Sequence, residues 1–166
     1  MTRQPFSAMV VGVGDPRWLT DDEIDSWKPL AGLVLLLPGY LDEAVQTHGL
    51  TFFEYSLLVV LSGAPDRTKP TSEVAHLANG SLSRTSHGAR RLEQRGLIRR
   101  HRCPTDGRVT LLTLTDEGQR QLADAAPAHV ESVRRAIFDA LEPEQAAELG
   151  RLTTLVLTRL EPCLLY

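Results

Sequence analysis

The 166-residue chain contains few of the features that mark a disulfide-rich, metal-binding or membrane protein. Its two cysteines, Cys103 and Cys163, lie far apart and outside any CxxC or Cys/His ligand spacing, which argues against a disulfide framework and a zinc site. The longest apolar run after the N-terminus, Leu33 to Pro38, is far shorter than the roughly 20 residues that cross a bilayer. The N-terminal apolar run ends at Asp15-Pro16 without a small-residue cleavage site, so no signal peptide is expected. We therefore expect a soluble, cytoplasmic protein.

Motifs of catalysis and cofactor binding are also missing. None of the five histidines has the HExxH spacing of a metalloprotease, and the sequence contains neither a GxSxG elbow nor a P-loop. Gly12-Val13-Gly14 lacks the third glycine of a dinucleotide-binding fingerprint. The sequence therefore predicts a protein that is not an enzyme and that carries no cofactor and no metal.

Charge is distributed unevenly along the chain. Lysine is scarce, with 2 residues against 16 arginines, and the net charge is only −3. Residues 82–108 nevertheless hold eight arginines against Glu93 and Asp106, a balance of +6 that leaves −9 for the remainder. A compact basic patch on an acidic body attracts phosphate to one face. The alternative is a solvated basic face without function, and the arginine excess over the whole chain is also consistent with a genome-wide preference.

Local patterns predict two helices in the first 62 residues. Apolar residues recur at spacings of three and four between Asp21 and Gly49, which indicates one long amphipathic helix with a kink or break at Pro38. Thr51 and Glu54 form a Thr-x-x-Glu capping box that opens a short apolar helix through about Ser62. Residues 63–70 are expected to be a loop.

The middle of the chain has the order of a winged helix-turn-helix. Thr71 or Ser72 caps a brief helix, SEVAHLA, which ends at Asn79-Gly80, and Ser81 or Ser83 caps a second helix that runs to about Arg95. Residues 97–102 and 109–114 then favour two strands joined around Asp106-Gly107. The fold class is therefore mainly α with a small β-hairpin wing, and the second helix is the one expected to enter the major groove.

Two further helices complete the predicted fold. Thr115 caps the first, whose buried stripe is expected at Leu122, Ala126, Val130, Val133 and Ile137 and whose axis should bend at Pro127. Pro143 opens the last, with an apolar stripe at Leu149, Leu152, Val156 and Leu160, and the chain ends in Leu164, Leu165 and Tyr166. These apolar residues cover the chain's own core, a second copy, or both; we expect a homodimer because such a surface is costly to leave in water.

Candidate DNA contacts follow from the periodicity of the second helix of the motif. Its small or apolar positions turn inward, which leaves an outward face of Ser83, Arg84, His87, Arg90 and Arg91. Arg84 is placed for a bidentate contact to guanine, and His87 for a base acceptor or a phosphate. Ser81 and Ser83 are placed to reach backbone oxygens. Which contacts are to bases and which to phosphates is left open.

The stretch from Asp106 to Gly118, DGRVTLLTLTDEG, resembles the DxRxxxLxLTxxG wing signature of MarR-type regulators. SLSRTSHGARRLEQRGLIRR, residues 81–100, resembles that family's recognition helix and its exit into the wing. The resemblance implies one domain over residues 1–166, with a winged helix-turn-helix lobe at about 50–118 and dimerisation helices at about 17–49 and 119–166. It also implies that Arg108 reaches the minor groove. Asp106 either helps to hold Arg108 or only caps a turn.

These features predict a dimeric, sequence-specific regulator that binds double-stranded DNA at an inverted repeat, with half-sites about one helical turn apart. The resemblance favours a repressor released by a small aromatic or anionic effector of unknown identity. Five aromatic residues lie on the helices that would line an effector site, but each taken singly is better explained as part of the core: Trp27, Tyr40, Phe52, Phe53 and Tyr55. A redox role of Cys103 beside the wing arginines is a lesser possibility. The alternative function is a winged-helix protein-interaction module without specific DNA binding.

Overall fold

A computed structural model of the chain describes residues 16–160, which form six α-helices and three β-strands. In chain order these are α1 (Asp21–Gln46), α2 (Phe52–Ser62), β1 (Thr68–Pro70), α3 (Thr71–Leu77), α4 (Leu82–Gln94), β2 (Ile98–Arg102), β3 (Thr110–Leu114), α5 (Asp116–Ala136) and α6 (Pro143–Leu160). Short 3-10 turns lie at Pro65–Arg67 and Phe138–Ala140. Cys163 and the apolar residues at positions 164–166 lie outside the described residues.

The described chain divides into two compact units, one up to Leu37 and one from Pro38 onward. The first unit contains most of α1, where Val34, Leu35 and Leu36 are exposed. The second contains the end of α1 and every later helix and strand. The helix α1 continues through Pro38, so it is not broken there, and the kink that the sequence offered as the other outcome stays a prediction.

The central helix of the second unit is α2, and its capping box is confirmed. The Thr51 hydroxyl accepts a hydrogen bond from the Glu54 amide at 3.2 Å, and the Glu54 carboxylate accepts one from the Thr51 amide at 3.0 Å. The two bonds satisfy amides that the first helical turn leaves without partners. Seven of the 11 residues of α2 are buried, so the helix packs on nearly every side.

The turn between α3 and α4 depends on a close backbone approach. A Cβ atom at Gly80 would lie 2.6 Å from the Phe53 ring, so only glycine fits there. Ser81, one of the two predicted caps, closes the turn by accepting the Arg84 amide at 3.2 Å. The predicted Thr71 or Ser72 cap of α3 is wrong, because α3 begins directly after Pro70 and the Thr71 hydroxyl donates to the Thr110 carbonyl.

The wing is a three-stranded antiparallel sheet in the order β1-β3-β2. The predicted hairpin is confirmed, with Arg100 opposite Leu112 in the register of β2 and β3. The strand β1 lies within residues 63–70, which the sequence predicts as loop, and it pairs Thr68 with Thr113. Three residues ending in proline are too few to show the alternation that marks a strand.

A single cluster of buried residues joins the winged lobe to α5. It draws on α2, α3, α4, the wing strands and α5, and includes Leu57, Leu58, Leu61, Val74, Ala89, Leu92, Leu112 and Leu122. At the start of α5 the glycine of the wing signature has a steric role: a Cβ at Gly118 would lie 2.0 Å from the Leu97 carbonyl oxygen. This close approach sets where α5 leaves the wing.

The buried face of α5 differs from the predicted stripe. Leu122 is buried as expected, but Val130 is 54% exposed, and Ala125 and Ser132 are buried instead. His129 lies against α2, with its ring centroid 4.7 Å from that of Tyr55. Burial lowers the pKa of His129, since an apolar surrounding disfavours the imidazolium form.

The final helix, α6, begins at Pro143 as predicted but buries none of its residues within the described chain. Its apolar side chains remain in contact with solvent, up to 75% exposure at Leu160. Among the described helices, none has the length and apolar character needed to cross a bilayer.

Candidate nucleic-acid interface

The outward face of α4 carries three side chains at helical spacing: Ser83, His87 and Arg90. All three are exposed, and none makes a hydrogen bond or an ion pair with its side chain among residues 16–160. The opposite face is packed into the core, with Thr85, Gly88, Ala89 and Leu92 buried. Because residues three and four apart share a helix face, the two faces separate cleanly. The predicted inward and outward positions are therefore observed for this part of the helix.

Arg84 lies on the flank of α4 that faces α2. Its guanidinium carbon is 4.1 Å from the centroid of the Phe53 ring, which is a cation–π geometry. Phe53 is buried, and its ring also closes the turn at Gly80. The side chain predicted to contact guanine is therefore held against the protein in this structure.

Arg91, two turns further along, is engaged by the same helix. Its Nε donates to a carboxylate oxygen of Glu54 at 2.6 Å. The Glu54 side chain is only 5% exposed, whereas that of Arg91 is 56% exposed. A buried carboxylate needs a cationic or hydrogen-bonding partner, and Glu54 has both Arg91 and the Thr51 amide. Arg91 therefore ties the recognition helix to the start of α2.

The turn of the wing is organised by Asp106 through backbone contacts. Its carboxylate accepts the backbone amide of Arg108 at 3.0 Å, and its carbonyl accepts the Val109 amide at 3.0 Å. Asp106 therefore caps the turn, one of the two roles that the sequence left open. The Arg108 guanidinium is exposed and makes no hydrogen bond or ion pair with the described part of the chain.

Further basic residues lie on β2, and the sequence did not show which of them are paired within the protein. Arg100 pairs with Glu93, which also accepts the Arg100 amide at 2.9 Å. Arg102 donates to the Gly107 carbonyl at 2.7 Å and so holds the wing turn. Arg99 is exposed without a partner among the residues described, which adds it to the side chains available for phosphate. Successive side chains of a strand point to opposite faces, and this alternation over residues 98–102 could have identified Arg99 as an exposed residue.

Cys103 follows β2 directly and lies half-buried at the root of the wing turn. The pKa of its thiol is lowered, chiefly because the Thr105 hydroxyl hydrogen-bonds to the sulfur at 3.2 Å. The cause is thus a neighbouring hydroxyl, not the arginines considered in the sequence. A redox role stays a prediction.

A cavity of about 730 Å³ lies within the second unit. Phe52 and Phe53 supply its aromatic wall, and three side chains of α4 supply positive charge or hydrogen-bond donors: Arg84, His87 and Arg91. Asp42 also lines it, but one of its carboxylate oxygens accepts the Phe52 amide at 2.6 Å. An aromatic wall facing two guanidinium groups has the chemistry to hold an aromatic anion.

Comparison with known proteins places these features in a family, although no family model matches the chain. PecS, an HTH-type transcriptional regulator of Dickeya dadantii, is 33% identical over 127 residues, which cover 74% of this chain and 76% of PecS. Two MarR family transcriptional regulators from Streptomyces coelicolor share the structure. Sco3205, solved in complex with DNA, has a TM-score of 0.82 and 41% identity over 89% of this chain and 94% of its own. AbsC has a TM-score of 0.80 and 35% identity over 89% of this chain and 99% of its own.

These relatives are transcriptional regulators and not enzymes, in agreement with the missing catalytic motifs. The identities extend over at least three quarters of each relative. The chain belongs to the MarR family of DNA-binding, winged helix-turn-helix transcriptional regulators.

Proposed function

We propose that the protein is a homodimeric, sequence-specific repressor that binds an inverted repeat and is released by a small aromatic anion. The observation that carries the proposal is the free outward face of α4, where Ser83, His87 and Arg90 have no partner among the residues described. Side chains at this place in a helix-turn-helix reach base edges and phosphates in the major groove. The likeness to Sco3205, which was solved with DNA, supports the same use here.

Electrostatics favour DNA as the partner of this face. Arg90, Arg99 and Arg108 carry guanidinium groups with no ion-pair partner in the described chain. Each is therefore available to neutralise a phosphate and release a counterion. We assign Arg108 to the minor groove, whose narrow, electronegative form attracts arginine. Ser81 supports this face by capping α4, and its amide neighbours lie at the positive end of the helix dipole. Because DNA is the proposed target, we assign the protein to the cytoplasm.

The dimer is proposed from surfaces that the chain leaves uncovered. The helix α6 buries no residue, and Leu155, Val156 and Leu160 are each more than half exposed. A row of exposed apolar side chains on a helix is costly in water and is covered when two copies pack together. We therefore assign residues of about 17–49 and 119–166 to dimerisation and about 50–118 to DNA binding. A dimer also presents two recognition helices to successive major grooves.

The effector is proposed from the cavity beside α4. Arg84 and Arg91 line it and belong to the recognition helix, while Phe53 and Glu54, which hold them, belong to α2. A bound carboxylate would compete with Glu54 and Phe53 for these guanidinium groups. Because both arginines hold the position of α4, this competition would shift the recognition helix and weaken DNA binding. We propose repression because the protein would hold its operator without the effector and leave it when the effector binds.

The DNA proposal is tested with the purified full chain and a pool of random duplexes. Bound duplexes are selected at about 50 mM and about 200 mM salt, because phosphate contacts weaken steeply over this range. We expect an inverted repeat with half-sites about one helical turn apart at both concentrations, and a mass in solution of two chains. Recovery without sequence preference that disappears at the higher salt would overturn the proposal in favour of a protein-interaction module.

The effector proposal is tested with the selected operator and benzoate, cinnamate and their uncharged amides as probes. We expect at least one carboxylate to release the operator, whereas its amide does not, because only the carboxylate pairs with guanidinium groups. An Arg91→Gln variant should bind the carboxylate less tightly. Equal effects of carboxylate and amide, or none from either at millimolar concentration, would contradict an anion-binding effector site.

A further inference from the structure

Leu82 is the one large hydrophobic side chain that is exposed between Val60 and His129, a stretch that the structure describes completely. Its exposed fraction is 59%. The other exposed large hydrophobic residues lie before or after this stretch, on segments such as α1 and α6. A lone exposed leucine is ordinary on a protein surface, so its place in the fold decides whether it has a function.

The place of Leu82 is the first residue of α4. Ser81 directly before it caps the helix, and Ser83 directly after it belongs to the outward face. The N-terminal residues of a recognition helix are those that contact base edges in the major groove. Leu82 therefore lies at the part of the helix that contacts base edges. Its neighbours on both sides are small polar residues, so the leucine side chain extends beyond them.

The fold gives no other use for this side chain. The cap is formed by the Ser81 hydroxyl and the Arg84 amide, so it does not involve the residue at position 82. A hydrophobic staple would need an apolar residue before the cap, and that position is Gly80. Leu82 takes no part in the buried core cluster.

The chemistry of the major groove supplies one apolar partner. Thymine alone among the four bases presents a methyl group there, and proteins read it by contact with apolar side chains. We propose that Leu82 determines specificity by contacting the C5-methyl group of one thymine in each operator half-site. This proposal rests on the proposed function, because it needs a sequence-specific operator.

The contact has a signature that separates it from those of the arginines. It is apolar, so it releases no counterions, and its loss leaves the salt dependence of binding unchanged. Burial of one methyl-sized group is worth about a fourfold change in affinity at a single half-site. The arginine contacts, in contrast, change both affinity and salt dependence.

The test uses the full-length dimer and the operator selected from random DNA. Each thymine of one half-site is replaced singly by deoxyuridine, which removes only the methyl group. We expect one replacement to weaken wild-type binding about fourfold, and Leu82→Ala to bind thymine and deoxyuridine operators equally. Leu82→Met, which keeps the apolar volume, should retain the thymine preference.

Val59→Ala is the matched control, because Val59 is also exposed, at 41%, but lies on α2. It should keep the thymine preference of the wild type. Specific operator binding without any deoxyuridine effect, or with an effect that survives in Leu82→Ala, would overturn this inference while leaving the proposed function intact. Failure to select any operator would overturn the proposed function and this inference with it.

Discussion

The two faces of α4 have opposite relations to the rest of the protein. On the inner face Thr85, Ala89 and Leu92 are fully buried and form part of the lobe's packing. On the outer face His87 and Arg90 are exposed, and their side chains make no hydrogen bond or ion pair with the described chain. The difference teaches that one helix separates stability from recognition, since substitutions on one face should alter unfolding and those on the other DNA binding.

The flank facing α2 breaks this division. Arg84 over Phe53 and Arg91 on Glu54 are exposed side chains that nevertheless contact buried groups. Their loss should affect both properties, because they hold the helix in position and also line the cavity. Substitutions on the inner face, the flank and the outer face therefore test the comparison separately.

The largest expected effect is on the inner face, at Leu92. Leu92→Ala should lower the free energy of unfolding by about 3 kcal/mol, because it removes a fully buried side chain and leaves a cavity. Urea denaturation followed by circular dichroism measures the change. A loss below about 1 kcal/mol would show that the inner face contributes little to stability.

On the flank, Glu54→Ala removes both the capping box and the partner of Arg91. We expect a loss of about 2 kcal/mol in unfolding free energy, together with weaker operator binding even where the variant is fully folded. Thr51→Ala serves as the control, since it removes the cap and leaves the contact with Arg91. Equal operator affinity of the two folded variants would contradict a positioning role of Glu54.

On the outer face, Arg90→Ala should weaken operator binding about tenfold and reduce the salt slope by about 1. Its unfolding free energy should stay within about 0.5 kcal/mol of the wild type, as expected for an exposed residue whose side chain has no hydrogen bond or ion pair in the described chain. Titrations at several salt concentrations, with denaturation of the same sample, measure both. A stability loss as large as that of Leu92→Ala would remove the distinction between the two faces.

The smallest effect is expected at Thr85, which is buried with a hydroxyl that lacks a hydrogen-bond partner among the residues described. Thr85→Val keeps the shape and removes the unsatisfied group, so it should raise the unfolding free energy by about 1 kcal/mol. Operator affinity should not change. Destabilisation by this substitution would indicate that the hydroxyl has a bonded partner in solution.

Local signals in the sequence are sufficient to predict much of the fold. The capping box of Thr51 and Glu54, the cap at Ser81 and the proline at the start of α6 each act within a few residues, and the structure contains all three. The hairpin and the two faces of α4 follow from periodicity, which is also local. The fold class and the family resemblance rest on such local patterns, and both are confirmed.

Features that depend on distant neighbours could not be predicted in this way. Periodicity placed Arg84 and Arg91 on the outward face of α4, but only the fold brings Phe53 and Glu54 of α2 against them. The same holds for α5, where packing on α2 rotates the buried face to Ala125 and Ser132. The DNA contacts of the eight candidate residues stay predictions, since they concern a complex and not the chain alone.

Phe53 occupies a position that three parts of the lobe share. Its ring fills the space that forbids a side chain at Gly80, lies beneath the Arg84 guanidinium, and forms a wall of the cavity. Among related regulators, substitutions at positions 53, 80 and 84 should therefore depend on one another. A smaller residue at 53 would free position 80 to carry a side chain and would deprive position 84 of its aromatic partner. We expect the three positions to co-evolve, so that effector preference and operator preference change together.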